Sequence, residues 1–569
     1  MRRAILLLSL AASLSSIAHA TTYYFSTSGN DNNNGLSETY PKRSLNLVPS
    51  LLTPGDTILL KRDHVWYDDS LSWVFYDKIG TSSLPMLIGA YGTGARPVVA
   101  YMASSTWMRD SAGFYSGLPN WNRGPTDTLD QVYRLYLGGT PLPRVPSPDS
   151  LLDSTYCVAG IRVRVRCDDC DSAVTVEYIR NAAGFIRGKN VHYLTFKNLA
   201  IKGVPDWVAM LLEVPTSHVT IDSIYLHQFI HYGIEFGVPA TCDTSGCTRI
   251  TTTDKHSNVN ILNCVIDKSW TERMNHEGRY GVWSAIRTAY DSLGANDEPP
   301  GGDGICFSDA VDSAVVRGCV VTNMGHFGIA NELWNPENFG TKHILIEQNT
   351  VSAGTSSKCR AIGLGSTERC ANNIVRRNYL RDQNGCSSFN GESLYVYSNI
   401  FETTKDNPVS QYYQALMSWI SVGGGWNPRS VVKGCVFANN TLADADALFT
   451  MSGFNNDSSL ASPNRFCNNL LTDWRGLPYP GRNDPERNSA VVMDSVAVDS
   501  WTLRNNGFWK SAADSIVFTL YASGSFQEYT AAGLNARPNS SANMTANPVF
   551  ATGDSAGRFQ LTEFEFRTF

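Results

Sequence analysis

One short pattern of apolar and polar positions recurs between residues 190 and 470. In register, its copies read Thr195-Phe-Lys-Asn-Leu-Ala-Ile, Thr220-Ile-Asp-Ser-Ile-Tyr-Leu, Asn260-Ile-Leu-Asn-Cys-Val-Ile, Val315-Val-Arg-Gly-Cys-Val-Val and Leu345-Ile-Glu-Gln-Asn-Thr-Val. Four more follow: Ile374-Val-Arg-Arg-Asn-Tyr-Leu, Tyr395-Val-Tyr-Ser-Asn-Ile-Phe, Val431-Val-Lys-Gly-Cys-Val-Phe and Arg465-Phe-Cys-Asn-Asn-Leu-Leu. The fifth column is Leu199, Ile224, Cys264, Cys319, Asn349, Asn378, Asn399, Cys435 and Asn469, flanked throughout by apolar residues.

So short an apolar stretch cannot bury itself, whereas stacked coils cover one another, and a recurring unit of this size marks a solenoid. An Asn at one turn of every coil can pair its amide with the coils above and below. Cys is small and tolerates burial in the same column. The pattern predicts an all-β chain, a right-handed single-stranded parallel β-helix. A β-sandwich would show a hairpin turn signal every 8–12 residues or so, and these are missing. Successive column residues lie 25, 40, 55, 30, 29, 21, 36 and 34 apart, so the excess over the shortest coil is looped out. The largest excess falls at 265–302 and holds Trp270, His276, Glu277, Arg279 and Trp283. Long loops on one side of a solenoid build the working surface.

Residues 101–189 break the rhythm. Ile161-Arg-Val-Arg-Val-Arg alternates strictly, with Arg162, Arg164 and Arg166 on one face, which reads as a half-exposed strand of a small β insertion. The expected organisation is a leader at 1–20, a cap and first coils at 21–100, the insertion at 101–189, coils at 190–530 and a closing segment at 531–569. Arg2 and Arg3, the apolar run Ala4 to Ile17 and Ala18-His19-Ala20 have the form of a secretory signal with its cleavage site. The expected location is therefore secreted, periplasmic or cell-surface. Thirteen Cys are compatible with that location, Cys167/Cys170 and Cys242/Cys247 being candidates to close small loops. A net charge of −6 gives no basis for nucleic-acid binding, and no later stretch is apolar enough to span a bilayer, so a soluble monomer is expected.

Three N-terminal stretches carry a resemblance: Thr22-Tyr-Tyr-Phe-Ser-Thr-Ser-Gly-Asn-Asp-Asn-Asn-Asn-Gly, Pro54-Gly-Asp-Thr-Ile-Leu-Leu and Ile88-Gly-Ala-Tyr-Gly-Thr-Gly. Their order resembles the opening of secreted right-handed β-helix proteins of the pectate-lyase-like superfamily, many of them polysaccharide lyases and glycoside hydrolases. Asn547-Pro-Val-Phe and Arg558-Phe-Gln-Leu resemble that superfamily's closing coil, while Thr562 to Phe569 depart from its usual ending. The resemblance implies a carbohydrate-active protein and a polysaccharide partner.

A Gly-Ile marker or its equivalent recurs in His231-Tyr-Gly-Ile-Glu-Phe, Gly302-Asp-Gly-Ile-Cys-Phe, His326-Phe-Gly-Ile-Ala-Asn and Cys359-Arg-Ala-Ile-Gly-Leu. With each Ile inward, alternation turns Glu235, Cys306, Ala330 and Gly363 outward, the small ones leaving an open floor. Two residues before Ile stand Tyr232, Asp303, Phe327 and Arg360; three before stand His231 and His326. Coils lie about 4.8 Å apart, so Asp303 and His326 are expected within hydrogen-bond reach, with Arg360 one coil on. Trp270, Trp283, Trp334 and Trp426 are candidates to stack on sugar rings.

Two chemistries suit this face. A glycoside hydrolase needs two carboxyl groups; the candidate pairs are Asp303 with Asp309, Glu332 or Glu235, with His326 tuning protonation. The stretch Gly325-His326-Phe-Gly resembles the Gly-His-Gly of polygalacturonases, but their double-Asp motif is absent and their mechanism is not carried over. A lyase needs a base and positive charge, or Ca²⁺, against a uronate carboxylate; Arg360, Arg279 and His326 are the candidates. Otherwise no cofactor is expected. A non-catalytic carbohydrate-binding scaffold is the remaining class, because fold does not fix function.

Overall fold

The computed structural model describes residues 20–545, apart from interior stretches of which the longest are 118–131, 268–301, 403–417, 453–462 and 475–488. Each coil supplies three strands. One coil runs Ile305–Ser308, Ala310–Arg317 and Val320–Thr322; the next runs Phe327–Glu332, Gly340–Glu347 and Thr350–Ser352. Like strands pair in parallel, with Ile305 opposite Ile329, Val315 opposite Leu345 and Val321 opposite Val351. First and second strands join in one long sheet, and third strands form a second sheet of 13. The chain is a right-handed parallel β-helix, the hand that parallel crossovers take. The strands Thr22–Phe25, Thr57–Lys61 and Met86–Tyr91 lie side by side and open it. Among the described residues no helix is long and apolar enough to cross a membrane.

The core fills the bore. Ile234, Ile305, Ile329 and Ile362 stack inside it, each fully buried. At the bend from second to third strand the column residue points inward and its predecessor takes a left-handed conformation, as at Asn198, Ser223, Asn263, Gln348, Arg377, Ser398 and Asn468 (φ 52–58°). A second left-handed bend lies five residues earlier, at His218, Asn258, His343, Asn372 and Ser393. Asn and Gly recur at such bends because they tolerate positive φ.

From Asn349 onward the column is a chain of amides. Side-chain Nδ2 donates to the next coil's Oδ1 from Asn349 to Asn378, Asn399, Asn440, Asn469, Asn506 and Asn543, at 2.9–3.1 Å. Each Oδ1 also accepts the backbone N–H of the Asn before it, and each Nδ2 also donates to a carbonyl of the preceding coil, as Asn378 does to Ile346. Every amide is thus fully satisfied. The chain ends on Asn535, in the helix Ala531–Asn535. Cys264 and Cys319 hold the column as buried thiols, their S–H reaching the Ile221 and Ile261 carbonyls as Nδ2 does elsewhere.

One expected column member is misplaced. Val436, not Val431, pairs with Tyr395, so Asn440 stands between Asn399 and Asn469. Cys435 belongs to the bend five residues earlier, where its N–H donates to Asn464 Oδ1 at 2.8 Å. Both bends follow a left-handed residue, Gly434 and Asn439, so the two sites look alike in sequence.

Strands Ser72–Tyr76 and Phe185–His192 pair directly, and the chain between them leaves the helix. It forms two antiparallel sheets, one of Ala103–Met108, Val132–Leu137, Thr140–Pro141 and Ala173–Arg180, the other of Tyr115–Gly117, Thr155–Ala159 and Arg162–Arg166. They enclose their own core of Trp107, Tyr115, Tyr156, Val163, Val165 and Tyr178. Arg166 pairs with Asp168 at 2.9 Å, and Cys167 and Cys170 form a disulfide. Against the helix, Glu177 accepts from Lys202 at 2.9 Å and from the Tyr67 hydroxyl. Cys242 and Cys247 lie opposite each other in a hairpin.

Candidate active site

The site lies at the corner where each coil passes from its third strand back to its first. Glycine makes this corner narrow. A Cβ on Gly304 would stand 2.5 Å from Val321 Cγ1, and one on Gly328 2.2 Å from Val351 Cγ1. The start of the first strand therefore presses on the inner face of the third-strand sheet, which explains the Gly of the Gly-Ile marker.

Asp303 is fully buried at this corner. Its Oδ1 accepts the Phe327 N–H at 2.9 Å and the His326 Nδ1–H at 3.1 Å. A carboxylate only accepts, so Nδ1 carries the proton and Nε2 is the basic nitrogen. The His326 side chain is 27% exposed, so it is the imidazole, not the carboxyl, that reaches the surface. Phe327 stands between His326, edge-on at 4.3 Å, and the Arg360 guanidinium, 5.2 Å from the ring centre. Arg360 is opposite Phe327 in register and its N–H donates to the His326 carbonyl at 2.6 Å. Asp303, His326 and Arg360 thus form one cluster across three coils.

The expected open floor is closed. Cys306 and Ala330 are 0% and 1% exposed. Cys306 packs with Val208 and Tyr232, and the space left by Gly363 is taken by the Phe327 ring, 2.6 Å from where its Cβ would be. Small residues here admit neighbouring side chains.

The expected carboxyl pairs on these strands are spread out. Glu235 lies opposite Cys306, three residues beyond Asp303 on the adjoining coil. At about 3.3 Å per residue and 4.8 Å per coil the backbones are about 11 Å apart. Its Oε1 accepts from Ser308, which turns the carboxylate further from Asp303. Glu332 lies opposite Ser308, five residues along from the Asp303 level, or about 16 Å. Asp309, His231, Trp270, His276, Glu277, Arg279, Trp283, Trp334 and Trp426 lie outside the described residues. Among the described residues no group of three or more His, Cys, Asp or Glu side chains converges to hold a metal ion. A carboxylate that the sequence reading passed over also stands at the corner: Asp267, half-buried at the end of Val265–Asp267. Its signal was the alternation Val265-Ile266-Asp267, which turns it outward.

No protein-family model matches the chain. A stretch of 98 residues, 16% of this chain, is 38% identical to the lacto-N-biosidase of Bifidobacterium longum subsp. longum, and spans 6% of that protein's length. Among solved structures, the GH136 lacto-N-biosidase of Eubacterium ramulus is similar with a TM-score of 0.42 at 15% identity, over 92% of this chain and 67% of that one. The complex of XylC with xylose gives 0.46 at 11% identity, over 94% and 88%, and the pectate lyase Pel9A gives 0.32 at 14% identity, over 90% and 79%. What the chain's own sheets establish is the architecture, a right-handed parallel β-helix.

Proposed function

We propose that this chain is a carbohydrate-active enzyme that binds an extended glycan and hydrolyses its glycosidic bonds. The observation that carries the proposal is the Asp303–His326 pair: a buried carboxylate fixing the tautomer of a surface imidazole, the arrangement of an oriented proton-transfer group. The pair stands at a corner that recurs from coil to coil, and solenoids bind polymers along such an extended face. The relative from Bifidobacterium longum, named for release of a disaccharide, supports hydrolysis. A second reading has its own support. Arg360 beside His326 would set a positive charge next to a base, as β-elimination of a uronate requires. Export is part of the proposal, and N-terminal sequencing of the mature protein should begin at Thr21.

The test is a product screen over lacto-N-biose-containing oligosaccharides, pectins, alginates, xylans and carrageenans. New reducing ends without the ultraviolet absorbance of an unsaturated uronate mean hydrolysis; that absorbance means elimination. Binding with neither leaves a scaffold. Asp303→Asn and His326→Ala should each lower turnover by about 10²–10⁴. Undiminished activity in both would remove this corner from the chemistry.

A further inference from the structure

We infer that Asp267 is the second carboxyl group of this site, facing Asp303 and His326 across the corner; the inference rests on the hydrolase reading above. Asp267 closes the third strand of one coil and Asp303 stands just before the first strand of the next. Each is tied to the coil beyond. Asp267 Oδ1 accepts from Thr322 Oγ1 at 3.1 Å and Asn323 Nδ2 at 2.8 Å. Asp303 Oδ1 accepts from His326 and Phe327. The two carboxyl groups are therefore anchored to the two ends of one short connection, Thr322 to Phe327. The glycine contacts of Gly304 on Val321 and Gly328 on Val351 keep that connection tight.

A second observation points to a ligand. Asp303 Oδ2 is buried and has no hydrogen-bond donor among the described residues, and the same holds for Gln228 Oε1. Gln228 is 5% exposed, takes the left-handed bend at the same corner of the preceding coil (φ 58°), and its N–H donates to the Asp267 carbonyl at 3.3 Å. Buried acceptors without donors are unfavourable. A sugar ring brings hydroxyl donors, and it would meet the corner through His326 and Asp267, both partly exposed, since Asp303 and Gln228 are themselves sealed from solvent. Glu235, by contrast, is committed to Ser308 and turned along the strand.

The step balances with water as the sole co-reactant. The glycosidic C–O bond breaks, and the leaving oxygen takes a proton from His326 Nε2, the basic nitrogen having first taken it from solvent while Nδ1–H stays on Asp303. A water oxygen bonds to the anomeric carbon and passes its proton to Asp267. Exchange with solvent resets both groups.

Asp267→Asn is isosteric and keeps Oδ1 as acceptor for Thr322 and Asn323, so its melting temperature should match the wild type. On whichever glycan of the panel the wild type hydrolyses, kcat should fall about 10²–10⁴-fold. In Asp267→Ala, sodium azide should restore turnover and yield a glycosyl azide, which a purely structural residue would not produce. Full activity in Asp267→Asn, or lost activity in Asp267→Ala with no glycosyl azide, overturns the inference alone. A wild type that hydrolyses nothing in the panel overturns the hydrolase reading and this inference with it.

Discussion

Replacing Asn399 by Leu isolates what the amide column contributes. Asn399 is 1% exposed, in mid-column. Its Nδ2 donates to the Val375 carbonyl and to Asn440 Oδ1, both at 3.0 Å. Its Oδ1 accepts the Asn378 N–H at 3.0 Å and Asn378 Nδ2 at 2.9 Å. Leu has similar volume and leaves little cavity, but removes all four bonds. The Asn378 N–H and one proton of Asn378 Nδ2 lose their partners, while the Val375 carbonyl keeps its place in the ladder with Tyr395–Tyr397 and Asn440 Oδ1 keeps the Asn399 N–H. Two orphaned groups at about 1–3 kcal/mol each sum to about 4 kcal/mol at mid-range. Burying the added apolar surface returns about 2 kcal/mol. The net expectation is a loss of about 2 kcal/mol. Urea titration should move the midpoint with little change in slope, and amide hydrogen exchange should show the Asn378 N–H exposed earlier. The control is Ile224→Val in the apolar part of the column, expected to lose only about 0.5–1.5 kcal/mol. A shift for Asn399→Leu within about 0.5 kcal/mol, the range of a neutral surface change, would refute the idea that amide pairing holds the coils together.

Gly304→Ala forces a methyl against Val321 and the Gly328 carbonyl, 2.5 and 2.7 Å away; overpacking of this kind lowers stability by about 1–3 kcal/mol, and a melting temperature equal to wild type would show that the corner is not tight. His256 is buried, and burial holds its imidazolium down to about 4, against an ordinary 6.5. The unfolded chain thus binds more protons than the folded one between those values, so stability falls as pH drops from about 6.5 to 4. His256→Gln should flatten the melting temperature against pH over that window, and an unchanged slope would assign the loss elsewhere. Lys202→Met leaves the buried Glu177 carboxylate without its cation at the seam between insertion and helix; a cost of about 3 kcal/mol is expected, seen as earlier unfolding and faster proteolysis, with unaltered melting as the contrary result.

The coils were legible because one inward position per bend repeats, and Asn349, Asn378 and Asn399 announce it without any long-range information. Cys435 shows the limit of that signal. Two bends of the same second strand place a left-handed residue before an inward one, and only strand pairing says which bend a copy occupies. Asp303 with His326 was legible because the Gly-Ile marker fixes height on neighbouring coils. The closed floor was not, since the Phe327 ring that covers Gly363 comes from the coil before. Nor was the separation of Asp303 from Glu235 and Glu332 recognised, although strand rise alone dictates it. Asp267 was hidden for another reason. Its proximity to the site depends on glycines that bring two different sheets together, with 35 intervening residues between Asp267 and Asp303 in the chain.

The central column changes character along the axis: apolar at Leu199 and Ile224, thiol at Cys264 and Cys319, amide from Asn349 to Asn543. In the amide part every coil offers its neighbour the same plug and the same socket. Excising residues 379–399 would seat Asn378 on Asn440 as well as it now sits on Asn399. The length of the rod is therefore editable in whole coils from its C-terminal half, while the N-terminal half, where each junction is a one-off fit around the Asp303–His326 corner, is fixed. Variation by coil duplication and loss can then change how far the rod extends without disturbing that corner.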